Sequence, residues 1–277
     1  MKNINRFVLA VFAVLSLVSI AGAQEKKAVQ KSLECQEWKG DDRFKTHCEI
    51  KELTLPAGAI NVDGRRNGGV RIKGWDRNEI LVRYRIETRA PTKDEADQLA
   101  SQVSIDTSNR RVHAEGPEGR DDHYWTVGYE VFVPYRTDVL LQAQNGGISI
   151  NDVQGKLEFN TTNGGVHLSG VGGSVRGGTT NGGLHVDLTG TRWEGEALDV
   201  KTTNGGVHLS IPEGYSAHLE TGTANGRVRF GFPVNAPTNE RGRYSNQIST
   251  DLGTGGPTIR VITTNGSVHV GRPSAIE

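Results

Sequence analysis

Four histidines and one arginine occupy the same place in a repeated phrase, so their side chains could form one row of ligands or hydrogen-bonding groups. Each stands four positions after the asparagine of an Asn-Gly pair: His167, His185, His208, Arg229 and His269. Stacked in register, adjacent imidazoles could share a metal, since zinc lies about 2.0–2.1 Å from each histidine nitrogen. The arginine argues against a metal, and a solvated polar strand face is the main alternative. We treat the row as a surface-binding candidate and assign no metal or cofactor.

Catalytic motifs are absent from the sequence. It contains no G-x-S-x-G, no H-E-x-x-H and no P-loop. The acidic pairs Asp41-Asp42 and Asp121-Asp122 fall in predicted loops, and no spacing pairs them across a groove as glycoside hydrolysis requires. We therefore predict that the protein is not an enzyme. A carbohydrate-active β-helix enzyme and a metal-binding envelope protein that uses the histidine row are the alternatives.

The row depends on a repeat of about twenty residues. Asparagine of the Asn-Gly pair stands at 145, 163, 181, 204, 225 and 265, with steps of 18, 18, 23, 21 and 40. A fixed period of this size is typical of stacked coils, because each coil must cover its neighbour. The predicted turn residues are Asn145, Gly146, Asn163, Gly164, Asn181, Gly182, Asn204, Gly205, Asn225, Gly226, Asn265 and Gly266.

Apolar residues alternate on both sides of each turn, which predicts strands with one buried face. The residues predicted to face inward in one copy are Leu157, Phe159, Thr161, Val166 and Leu168. Asn-Gly between such strands indicates either a type I′ hairpin with both residues at positive φ, or a solenoid corner that uses the left-handed region. The constant period favours an all-β parallel β-solenoid with coils of about 18–23 residues over an antiparallel meander or sandwich.

The inward threonines of the repeats are interpreted as structural. A buried hydroxyl needs a hydrogen-bond partner, and we expect stacked threonine and asparagine side chains to satisfy each other along the coil axis. These residues are Thr161, Thr179, Thr202, Thr223 and Thr263.

One short helix is predicted before the regular repeats, over about 92–104. Thr92 and Glu95 form a capping box, and Leu99 lies on the apolar stripe. The chain then divides into residues 1–23, a signal peptide; 24–48, a leader with a disulfide-closed N-terminal cap; 49–126, a degenerate first repeat region with the helix; and 127–277, the regular repeats. The segment 233–257 interrupts the period and reads as a loop or an irregular coil.

The first residues have the features of a secretory signal. Lys2 and Arg6 precede an apolar run, which ends at the small-residue cleavage motif Ala21-Gly22-Ala23. The sequence thus predicts export to the periplasm, the cell surface or the medium, and no membrane span after cleavage. The two cysteines, Cys35 and Cys48, are expected to form one disulfide in that oxidising environment.

The charge balance bears on possible partners. Lys plus Arg and Asp plus Glu both number 32, so the formal net charge is zero. Nucleic-acid-binding proteins usually carry a basic excess, and we predict no nucleic-acid partner. The expected partner is a protein or glycan, bound through a repetitive face by an adhesin or cell-envelope scaffold.

Several motifs together resemble the bacterial putative-adhesin family. They are the repeats of the form T-x-N-G-x-[VIL]-x-[VIL], an apolar-x-apolar-Pro phrase as in Leu209–Pro212, Gly74-Trp75-Asp76 before a strand, and an interposed acidic helix. The resemblance covers about residues 49–272. It implies an exported, right-handed parallel β-helix with an adhesion role, and it supplies no catalytic residues.

Overall fold

The computed structural model describes residues 33–35 and 43–273, so the predicted signal peptide lies outside the described residues. Within these residues two sheets of ten strands each form the fold. The strands of the A sheet, in spatial order, are β1 (Lys45–Pro56), β4 (Glu79–Ala90), β7 (Tyr124–Pro134), β3 (Val70–Trp75), β9 (Ile148–Asn151), β11 (Val166–Ser169), β13 (Leu184–Asp187), β15 (Val207–Ser210), β20 (Val268–Gly271) and β17 (Val228–Phe230).

The B sheet runs beside it in the matching order. Its strands are β18 (Gln247–Leu252), β16 (Ala217–Asn225), β19 (Thr258–Asn265), β14 (Ala197–Asn204), β12 (Gly172–Asn181), β10 (Gln154–Asn163), β8 (Val139–Ala143), β2 (Ile60–Asp63), β6 (Arg111–Glu115) and β5 (Ser104–Asp106). Each repeat contributes one strand to each sheet, joined at the Asn-Gly pair.

Neighbouring repeats pair in parallel, which makes the fold a solenoid and excludes the antiparallel meander. The register is strict: β10 aligns Thr161 with Thr179 of β12, and β11 aligns His167 with His185 of β13. Antiparallel strand pairs among the described residues are β1–β4, β4–β7, β5–β6 and β16–β18. These pairs lie towards the two ends of the stack, so the predicted all-β solenoid is confirmed.

The spatial order of the coils departs from the chain order at the C-terminal end. The last coil, β19–β20, pairs with β14 and β15 on one side and with β16 and β17 on the other. It therefore lies between two coils that precede it in the sequence. This insertion explains the long step of 40 residues between Asn225 and Asn265, because the chain leaves the stack and returns one coil earlier.

The core lies between the inner faces of the two sheets and confirms the predicted alternation. Leu157, Phe159, Val166 and Leu168 are at most 2% exposed. The equivalent apolar residues of the other coils belong to the same continuous cluster. Burying a side chain of this size stabilises the fold by roughly 1.5–3 kcal/mol, so each coil adds to one shared core.

The Asn-Gly corners do not use the left-handed backbone region, which corrects both interpretations of their conformation. All twelve turn residues lie in the described part of the chain, and none has a positive φ. Glycine is required there by close approach instead. A Cβ on Gly182 would stand 2.2 Å from the Gly164 carbonyl oxygen of the neighbouring coil, so any side chain would force the coils apart.

A short helix and a disulfide lie at the N-terminal end of the solenoid. Helix α1 spans Lys93–Ser101 and is shorter than predicted, but it has the expected capping box of Thr92 and Glu95. It is followed by β5, a 3-10 turn at Ser108–Arg110, and β6. The predicted disulfide is confirmed: Cys35 and Cys48 are bonded, with their Cα atoms 5.8 Å apart. No helix of the described residues is long and apolar enough to cross a membrane.

The segment that interrupts the period covers the other end. Within residues 233–257, β18 pairs antiparallel with β16 at the edge of the B sheet. Tyr244 packs edge-on against Phe230 of β17, with ring centroids 4.9 Å apart. The Arg272 guanidinium lies 3.8 Å from the centroid of Phe232. These contacts cover part of the last strand of the A sheet, where an unpaired edge would otherwise invite association.

Candidate binding groove

Strand register brings the four histidines into one row on the outer face of the A sheet. His167, His185, His208 and His269 are direct partners on successive strands, and Arg229 continues the row on β17. The ring centroids of His185 and His208 lie 5.2 Å apart and the rings are stacked. The spacing follows from the separation of neighbouring strands, about 4.8 Å. Ser149 takes the place before His167.

A hollow runs beside this row across three coils. Gly147, Gly165 and Gly183, each the residue after an Asn-Gly pair, line it together with His167, His185 and His208, and its volume is about 460 Å³. Because glycine has no side chain, the backbone itself forms part of the lining. We call this surface the histidine groove. Its direction follows the solenoid axis, so an extended ligand would meet the same groups once per coil.

The histidine groove carries one acidic side chain within reach of the imidazoles. Asp187 lies 3.5 Å from Nε2 of His167 and 4.0 Å from Nε2 of His185. Burial lowers the pKa of His167, an effect that Asp187 opposes and His185 reinforces. Burial also lowers the pKa of His208, helped by His185 and His269. Both shifts favour the neutral ring, which can donate and accept a hydrogen bond.

An asparagine ladder fixes the corner next to the groove. The side-chain amide of each asparagine donates to the side-chain oxygen of the next, at 2.7–3.2 Å, through Asn67, Asn145, Asn163, Asn181, Asn204, Asn265 and Asn225. The degenerate copy therefore joins the ladder through Asn67. Such a ladder locks the register of the coils, and with it the alignment of the histidine row.

The inward threonines are buried as predicted, but their partner was predicted wrongly. Thr179 donates its hydroxyl to the backbone carbonyl of Gly164, and Thr202 does the same to Gly182, both at 2.8 Å. The threonines thus bond to the corner glycines of the neighbouring coil, while the asparagines bond among themselves. The outward threonines Thr162, Thr180, Thr203 and Thr264 are exposed, as predicted.

The row does not gather three metal ligands at one point. Among the described residues, the one group of three histidine or acidic side chains close enough to share an ion lies outside the row, at the N-terminal end of the B sheet. The rings of the row stack one behind another and offer a line of single groups. This arrangement suits hydrogen bonding and stacking along an extended ligand better than coordination of one ion.

A larger cavity at the N-terminal end was not predicted as a site. It has a volume of about 800 Å³ and is lined by residues 64–68, 114–121 and 124–127. Three arginines and three acidic residues share its lining, and Trp125 closes one part by donating its indole N–H to the Pro117 carbonyl at 2.8 Å. The sequence signals only a charged, glycine-rich loop there, because the cavity forms between segments that are distant in the chain.

The fold and the groove define a parallel β-solenoid with a repetitive polar surface. The family model described as Toastrack DUF4097 matches residues 31–271, and the chain belongs to this family. The resemblance drawn from the repeats is thereby confirmed. A search of the curated proteins found no match to this sequence.

Solved structures with a similar fold have low sequence identity. A putative cell adhesion protein from Clostridium sporogenes is 11% identical, with 83% of this chain and 100% of that chain covered and a TM-score of 0.45. A putative adhesin from Bacteroides fragilis is 9% identical, with 82% and 97% covered and a TM-score of 0.32. A putative lipid binding protein from Parabacteroides distasonis is 7% identical, with 80% and 96% covered and a TM-score of 0.33. Likenesses at this level carry no functional argument.

Proposed function

We propose that the protein is a non-enzymatic, exported binding protein that holds an extended protein or glycan along the histidine groove. The observation that carries the proposal is the in-register row His167–His185–His208–His269 beside a lining of glycine backbone. Many weak contacts repeated along a rigid surface raise the overall affinity without one deep pocket. The zero net charge favours a ligand recognised by hydrogen bonds and stacking rather than by long-range attraction.

The disulfide supports export. Cys35–Cys48 is the pair formed by both cysteines of the sequence, and structural disulfides persist mainly in oxidising compartments. The compartment is tested by protease treatment of intact cells and of cells with a permeabilised outer envelope. Digestion on intact cells is expected for an adhesin. Protection until permeabilisation would replace the adhesin role with that of an envelope scaffold.

Binding is tested with a panel of glycans and matrix proteins, using the purified protein and two variants. The first variant replaces His185 and His208 by alanine, and the control replaces Lys201, an exposed residue of the B sheet, by alanine. We expect the wild type and the Lys201 variant to bind the same panel members, and the double variant to lose them. Equal binding by all three proteins would place the ligand elsewhere and overturn the proposal.

A further inference from the structure

A second cluster of ligating side chains lies on the outer face of the B sheet, away from the histidine groove. Antiparallel pairing of β5 and β6 sets Asp106 directly opposite His113. Glu115 follows two positions after His113 on β6, so period-2 alternation places it on the same face. Nε2 of His113 lies 3.3 Å from Oε1 of Glu115 and 3.8 Å from Oδ2 of Asp106. All three ligand atoms lie within 4.8 Å of one another.

These separations are those of a metal coordination edge. Nitrogen and oxygen ligands lie about 2.0–2.2 Å from zinc, so two ligands of a tetrahedral ion stand roughly 3.3–3.6 Å apart. The two measured distances from His113 therefore need little adjustment to receive an ion. Two carboxylates held this close also repel each other, and a cation between them removes that repulsion.

The environment of His113 points to a bound group rather than to a solvated ion pair. Its side chain is only 7% exposed, whereas that of Glu115 is 59% exposed. Nδ1 of His113 is buried, and no hydrogen-bond partner for it is found among the described residues. Nε2 is directed at the two carboxylates. A buried ring with one nitrogen aimed at two anionic oxygens leaves an open coordination position towards solvent.

Asp106 is also held in place. Its Oδ1 accepts from the backbone N–H of Ser108 and its Oδ2 accepts from the Ser108 hydroxyl, both at 2.8 Å. These bonds orient the carboxylate, as outer contacts commonly do for metal ligands. They come from the 3-10 turn that links β5 to β6, so the turn that pairs the strands also positions the ligand.

We propose that Asp106, His113 and Glu115 bind one divalent transition-metal ion, with zinc as the best match. An imidazole with two carboxylates suits zinc better than calcium or magnesium, which prefer all-oxygen ligands. Water completes the coordination shell. The ion ties β5, the last strand of the B sheet, to β6 and so stabilises the N-terminal end of the solenoid. This site is independent of the proposed groove function.

The test measures zinc binding to tag-free protein stripped with a chelator. Isothermal titration gives the stoichiometry, and thermal melting with and without zinc gives the stabilisation. Glu115→Gln is the main variant, because its exposed side chain can be changed without disturbing the core. Asp106→Asn is the second. His218→Gln is a matched control: His218 also has two acidic neighbours, but Asp251 is 2.7 Å from Nδ1 and Glu220 is 3.9 Å from Nε2, on different ring nitrogens.

We expect one equivalent of zinc to bind and to raise the melting temperature of the wild type and of His218→Gln. Glu115→Gln and Asp106→Asn should weaken zinc binding by about tenfold or more. Magnesium at the same concentration should leave the melting temperature unchanged. No zinc-dependent rise, or a rise that survives in Glu115→Gln but disappears in His185→Ala, would overturn the proposal.

Discussion

Gly182 lies directly against the backbone of Gly164 in the neighbouring coil, so a Cβ on Gly182 would stand 2.2 Å from the Gly164 carbonyl oxygen. At the next residue, Gly183, the nearest atom to an added Cβ is 3.6 Å away, which is ordinary contact. Two adjacent glycines therefore have different roles. The first permits the coils to stack, and the second leaves room in the histidine groove.

We expect Gly182→Ala to destabilise the protein by about 1–3 kcal/mol, the usual range for overpacking. Gly183→Ala should change the free energy of unfolding by less than about 0.5 kcal/mol. Denaturant unfolding followed by circular dichroism measures both. Equal destabilisation by the two substitutions would show that loss of glycine flexibility, rather than coil contact, controls this corner.

The asparagine ladder predicts a smaller effect at the middle of the row. Asn181 donates to Asn163 and accepts from Asn204, both at 2.8 Å, and Asn181→Ala removes both hydrogen bonds. Since the net contribution of one such bond is about 0.5–1.5 kcal/mol, we expect a loss of roughly 1–2 kcal/mol. Thr180→Val, an exposed neighbour that keeps the branched side chain, is the control. Identical unfolding curves for Asn181→Ala and the control would contradict a stabilising ladder.

The histidine row predicts that mild acid destabilises the protein. The pKa values of His167 and His208 are lowered in the folded state, whereas the unfolded chain titrates near 6.5. The unfolded state therefore binds more protons as the pH falls below about 6.5, and stability is lost there. We expect a lower melting temperature at pH 5.5 than at pH 7.5.

The variant His208→Gln isolates this effect. It removes one titrating ring together with its repulsion of His185 and His269, so the difference in melting temperature between the two pH values should shrink. A melting temperature that does not change between pH 7.5 and pH 5.5 in the wild type would contradict the stacked, partly buried row.

The disulfide predicts a stability effect that begins at the N-terminal end. Cys48 belongs to β1, which pairs along its whole length with β4, and Arg85 donates to the Glu34 carbonyl beside Cys35. The double variant Cys35→Ser/Cys48→Ser should lose about 3 kcal/mol by the chain-entropy estimate for a short loop. Wild-type protein in reducing agent should match the variant, and reducing agent should not affect the variant further. A wild type insensitive to reduction would contradict a stabilising bond.

The faces of the strands were predictable from the sequence because alternation is a local signal. Thr161 and Val166 lie on either side of a corner, and both were predicted to face the core from period-2 alternation alone. The alignment of His167 with His185 was equally predictable, since identical phrases stack in register. The position of the row thus follows from the repeat, although its role as a binding surface stays a prediction.

Features that depend on distant segments were not predictable. The return of β19–β20 between two earlier coils depends on how the chain from Asn225 onward fits the stack, and the repeat spacing carries no record of it. The Asn-Gly conformation was mispredicted because hairpin preferences describe antiparallel turns. Asp106, His113 and Glu115 became a cluster only once β5 paired with β6 across a short turn; histidine near acidic residues is too common to signal it.

The most direct test of the binding proposal fills the histidine groove without touching the histidines. Gly183→Gln adds a side chain where a Cβ has no neighbour closer than 3.6 Å, so the fold should be kept and the groove blocked. The measurement is the affinity of this variant and of the wild type for a partner identified on the panel, with melting temperatures as the control for folding. We predict at least a tenfold loss of affinity at an unchanged melting temperature, about 1.4 kcal/mol. Unchanged affinity would contradict the groove as the binding site.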